Sequence, residues 1–132
     1  MKARQVFERA LAFINERDSS GAYHTDIGDF EANAPDIINA CISLLLVDEC
    51  IIRRTDPKEF KWEFEPIKTL DDPIPLHEAL ACAPLPYLVA SHLLIEEDMT
   101  RAQYFHNLSQ LSRQEVQRAF ASAVRTSVTD VY

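Results

Sequence analysis

His92 and Glu96 are the residues of this chain whose spacing comes nearest to chemistry. Four residues apart on a helix, an imidazole and a carboxylate share one face and can reach one metal ion. No second His–Glu pair and no neighbouring cysteine completes a coordination shell, so His92 reads as a partly buried interface histidine and no metal is assigned. Asp71 and Asp72 are adjacent carboxylates, but Leu70-Asp71-Asp72-Pro73 is a turn signal in which either aspartate can cap the following helix. Ser91 next to His92 is not a dyad, because neighbouring residues on a helix point in different directions. His24, His77 beside Glu78, and His106 are isolated. There is no glycine-rich phosphate loop, G-x-S-x-G, H-E-x-x-H or C-x-x-C. No catalytic residue, cofactor or metal is therefore predicted, and the chain reads as a non-enzyme.

Composition narrows the class. At 132 residues the chain has the length of one ordinary domain, read as 1–132. Its 47% hydrophobic and 26% charged residues are those of a globular protein with one core. Only two glycines, Gly21 and Gly28, argue against an all-β fold full of tight turns. The net charge is −8, and residues 21–50 and 71–100 each carry six acids and no Lys or Arg. A nucleic-acid binder needs clustered cations to displace counterions, so direct nucleic-acid binding is not expected. Cys41, Cys50 and Cys82 are odd in number and widely spaced, which suits reduced, structural thiols in a cytoplasmic compartment. No apolar run approaches the ~18 residues that span a bilayer, so no membrane is expected.

The elements that position these residues are mainly helical. Ala3, Phe7, Ala10, Leu11 and Ile14 recur at three- and four-residue steps and predict a helix over 2–17. A second helical region spans 25–52, with a kink or a new start at Pro35. The run Leu44 to Val47 makes it apolar on more than one face, as befits a central helix or a subunit contact. Residues 53–70 change character: Phe60, Trp62 and Phe64 alternate with charges, predicting a short extended or β-like arm around 59–67. That arm must pair within the fold, lie over the helices or pair with another subunit, and its three aromatics are the candidate protein-interaction residues. Residues 71–98 follow, with a helix interrupted at Pro84 and Pro86. Glu96, Glu97 and Asp98 suit the entry of a last helix, with Asp98 as N-cap. That helix is predicted to reach about 122, leaving a short tail at 126–132. The expected architecture is a bundle of four to five helices, two of them kinked at Pro35 and at Pro84/Pro86.

The order IKTLDDPIPL (67–76), LPYLVASHLLIEED (85–98), AQYFHNLSQL (102–111) and terminal DVY (130–132) resembles small prophage and phage proteins of Gram-positive bacteria, from the gene block for head and tail morphogenesis. The likeness covers nearly the whole chain, but its motifs are those of packing and capping. Where such proteins often carry Gly after the Pro-Tyr pair, this chain has Leu88, and its 112–125 segment reads as a longer helix. The resemblance implies a structural protein of particle assembly, a head–tail connector or adaptor that homo-oligomerises and contacts portal or neck components. Its places would be the host cytoplasm during assembly and the virion neck on incorporation. The alternative is an acidic interaction or regulatory module that binds a host or phage protein.

Overall fold

The computed structural model describes residues 1–14, 27–55 and 65–129, with residues 27–29 and 121–129 described as backbone only. The described chain is mainly α, with six helices: α1 (Ala3–Ile14), α2 (Ile27–Leu44), α3 (Leu46–Arg53), α4 (Glu78–Cys82), α5 (Pro84–Leu94) and α6 (Met99–Thr129). The expected small helical bundle is what forms.

The predicted stripe of α1 is its buried face: Ala3, Val6, Phe7, Ala10, Leu11 and Ile14 all go inside. A helix leaves its first amides without partners, and here a distant segment supplies them. The Ala3 and Arg4 amides donate to the Asp72 and Leu70 carbonyls at 2.9 and 2.8 Å. The Ile74 amide returns a bond to the Met1 carbonyl at 2.8 Å, closing an antiparallel bridge between Lys2 and Pro73. At the other end the Arg101 guanidinium donates to the Ile14 carbonyl at 2.7 Å, a cation where the helix dipole is negative.

Pro35 does not break its helix, since α2 runs through it from Ile27 to Leu44. An interior proline costs about 3 kcal/mol, yet the break falls later, at Leu45, whose φ of −101° and ψ of 5° lie in the bridge region. Leu45 is fully buried while Leu44 is exposed. The turn thus drops one leucine of the consecutive run into the core and leaves its neighbour outside. α3 ends in a Schellman motif, with Arg54 left-handed at φ 57°. The Arg54 amide donates to the Ile51 carbonyl at 3.2 Å and the Thr55 amide to that of Cys50 at 3.0 Å. Glycine is the usual residue there because a Cβ is strained in that conformation. Arg54→Gly should accordingly stabilise the fold by about 0.5–1 kcal/mol, read as a shift of the urea midpoint at unchanged m-value.

Of the expected arm, residues 56–64, with Phe60, Trp62 and Phe64, lie outside the described residues. The described part, 65–68, is irregular, and no strand forms among the described residues. At Ile67 the pairing problem is solved by a side chain. The Asn39 amide accepts from the Ile67 N–H and donates to its carbonyl, both at 2.9 Å, making the two bonds a neighbouring strand would make.

Neither Asp71 nor Asp72 caps a helix, which corrects the sequence reading. Asp72 instead accepts from the Lys68 and Thr69 amides at 2.8 and 3.1 Å and closes its own turn. Those bonds, aided by the nearby Lys68 charge, hold its carboxyl below the ordinary value. The following helix, α4, starts only at Glu78, where His77 Nδ1 accepts from the Ala79 amide at 3.1 Å. Arg9 donates to the Cys82 carbonyl at 2.7 Å and closes its other end.

Of the two prolines, Pro84 separates α4 from α5 and opens α5, but Pro86 does not interrupt it. Both lie in the first turn, where a missing N–H removes no helical bond. Helix α5 is buried nearly all round (Leu85, Leu88, Val89, Ala90, Leu93 and Leu94) and packs against α1, α2, α4 and α6. It is the central helix. Phe13, Tyr87 and Phe105 stack across α1, α5 and α6, with centroids 4.8–6.4 Å apart.

Asp98 is the N-cap of α6 as predicted, its carboxylate accepting from the Arg101 amide at 3.1 Å. The helix then runs 31 residues to Thr129, beyond the predicted end near 122. At ~1.5 Å per residue that is about 46 Å, more than the core can cover. Ala102, Phe105 and Ser109 are buried, and further on Arg113, Gln117 and Phe120 reach across to α3 and to His77.

Candidate functional site

Among the described residues the charged groups buried deepest are Asp48 and Glu49, each 1% exposed, on α3. Their positions follow from the fold around them. The Asp48 carboxylate takes the Arg113 guanidinium through Nε at 3.0 Å and the terminal nitrogen at 2.8 Å, and the Gln117 amide at 2.7 Å. Glu49 accepts from Arg53 at 2.8 Å and from the His77 backbone amide at 2.9 Å. Asp48 therefore ties α3 to α6, and Glu49 ties α3 to the start of α4. Every carboxylate oxygen is used, and no face of either group is left for a substrate. The sequence reading missed both. The signal was present in LLLVDECII, where two acids sit inside an apolar run and must find partners if it is buried.

His92 lies between α5 and α2. Its Nδ1 is 2.9 Å from the Leu88 carbonyl and 3.5 Å from Cys41 Sγ. A carbonyl only accepts, so Nδ1 carries the proton and cannot take one from the thiol. Burial pushes the Cys41 thiol up to about 12, so it stays neutral and is no nucleophile. Cys50 is also buried, whereas Cys82 is exposed. Ellman's reagent should therefore titrate one thiol in the folded protein at pH 8 and three after denaturation. Two fast thiols in the native state would contradict this packing. Ser91 turns away from His92 and donates to the Ala102 carbonyl at 2.8 Å, joining α5 to α6. His106 is bonded within α6, its ring to the Gln110 amide at 3.3 Å. His24 lies outside the described residues. Among the described residues no three His, Cys, Asp or Glu side chains converge as a metal site.

His92 and Glu96 both line one open groove of about 430 Å³. Its apolar part is Phe30 and Ile37 from α2 with Leu93 and Ile95 from α5 and the turn after it. Asp36, Glu96 and Glu97 are exposed at its edges, and among the described residues no Lys or Arg lines it. What such a wall can do is receive apolar side chains and attract cations. Two apolar rows lie outside the core as well. Val47 (55% exposed) and Ile51 (42%) stand one turn apart on α3, preceded by Leu44 (49%). On α6 Tyr104 and Leu111, 59% and 56% exposed, share a face with half-buried Leu108 between them. Both rows leave large apolar side chains facing water.

No family profile, curated protein or solved structure matches this chain. Among the described residues no helix is long and apolar enough to cross a membrane.

Proposed function

We infer that this chain is a non-enzymatic assembly protein that works by contact with other protein chains, in the head–tail connector or adaptor class its sequence resembles. The observation that carries the reading is the pair of exposed apolar rows on α3 and α6, which a second copy or a neighbouring particle protein would cover. The aromatic arm with Phe60, Trp62 and Phe64 belongs to the same proposal as a further contact element. In that role the chain homo-oligomerises and meets portal or neck components, in the host cytoplasm and then in the virion neck. Sedimentation velocity from micromolar to millimolar chain tests it. Discrete oligomers that grow with concentration are expected, and a monomer throughout contradicts self-assembly.

A second reading, an acidic module for a basic partner, has its own support. The guanidiniums of Arg4, Arg9, Arg53, Arg101 and Arg113 are engaged within the fold. With a net charge of −8, acids dominate what remains for a partner.

A further inference from the structure

We propose that the groove between α2 and the end of α5 docks a short basic amphipathic segment of another protein, apolar anchors inward and Lys or Arg side chains against the rim. The proposal rests on the second reading above and names its site and occupant.

The groove offers two kinds of surface in the right order. Phe30 and Ile37 are half-buried, and Ile95 is 50% exposed, an isoleucine with one side on the protein and one side in water. Covering the exposed part of such residues is favourable at roughly 25 cal/mol per Å². Outside this apolar strip stand Asp36, Glu96 and Glu97, all exposed, and among the described residues no Lys or Arg in the wall neutralises them. Anionic or neutral occupants gain nothing from that rim, and a second copy of this chain, itself at −8, is repelled by it. A cationic occupant is attracted.

The size of the groove suits the anchors of a short segment. About 430 Å³ lies near the bottom of the ~300–1,000 Å³ range of pockets that take small ligands. It has room for a few anchoring side chains. The matching recognition mode is an amphipathic helix whose apolar residues recur at three- and four-residue steps. Its cations then flank the anchors, where they meet Asp36 from one wall and Glu96 and Glu97 from the other.

The test uses the full chain and a fluorescein-labelled amphipathic leucine–lysine peptide, followed by anisotropy at low and moderate salt. A lysine-only peptide of equal charge is the comparison. Two triple variants are made at exposed acids: Asp36→Asn/Glu96→Gln/Glu97→Gln in the groove, and Glu8→Gln/Glu65→Gln/Glu115→Gln elsewhere, so that both lose the same net charge. The expected result is saturable binding of the amphipathic peptide, tighter than the lysine-only one. It should weaken roughly tenfold in the groove triple and less than about twofold in the other, with tenfold corresponding to ~1.4 kcal/mol. Equal losses in the two triples would overturn the groove while leaving the acidic-surface reading intact. So would equal affinity for the two peptides. If neither peptide binds, both the groove and the acidic-surface reading fall.

Discussion

Asp48→Ala should lower the stability of this protein by about 3 kcal/mol, the lower end of the ~3–5 kcal/mol range for breaking a buried ion pair. The Asp48 side chain is 1% exposed, and its loss leaves a guanidinium and an amide facing a gap. Arg113 is 28% exposed and regains some solvent, which sets the lower figure. The cost comes from the stranded partner and not from a large intrinsic strength of the pair. Asp48→Leu combined with Arg113→Leu should therefore be less damaging than Asp48→Ala alone. Urea unfolding of the wild type, Asp48→Ala, the two leucine single variants and the double variant decides this. A double variant as unstable as the sum of its singles would mean the pair is not coupled in this way.

Leu88→Ala carries the other large effect, about 2–5 kcal/mol by loss of buried surface and creation of a cavity. Leu88 is 1% exposed and sits in the middle of α5, the helix that four others pack against. Against a total stability of ~5–15 kcal/mol for a domain of this kind, such a loss can unfold a substantial fraction of the chain at 37 °C. Leu111→Ala on the exposed row of α6 is the matched control and should change stability by less than about 0.5 kcal/mol. Thermal melts of the two variants test the assignment of core and surface, and similar losses at the two positions would contradict it.

What could be read from the sequence was the part governed by local spacing. The stripe of α1, the Asp98 cap and the break at Pro84 each follow from residues within one or two turns of one another. What was missed depends on partners far along the chain. Asp48 is satisfied by Arg113 and Gln117, 65 and 69 residues on. Asn39 clamps Ile67 across 28 residues, and the amides of Ala3 and Arg4 end on the carbonyls of Asp72 and Leu70. No local rule announces such pairs. Local rules also misled where tertiary packing overrode them. Pro35 sits inside α2 because the helix is held on both sides of it, and the real break at Leu45 is set by the burial of one leucine. At Asp71 and Asp72 the turn chemistry was right but its consequence was not, because Asp72 closes its own turn and His77 caps the helix. The groove was legible only through His92 and Glu96. Their spacing singled out the pair without assigning a metal, and the fold places them beside Phe30 and Ile37, which arrive from a helix that sequence distance does not connect to them.

Association through exposed apolar surface, without chemistry, is the central claim. It is tested most directly by sedimentation of the wild-type chain beside Val47→Arg/Leu111→Arg, which places one cation in each apolar row. Both positions are more than half exposed, so the variant should keep the wild-type circular dichroism spectrum and melting temperature. The account predicts concentration-dependent oligomers for the wild type and a monomer for the variant at the same concentrations. A wild-type chain that stays monomeric, or a variant that assembles as the wild type does, would contradict it.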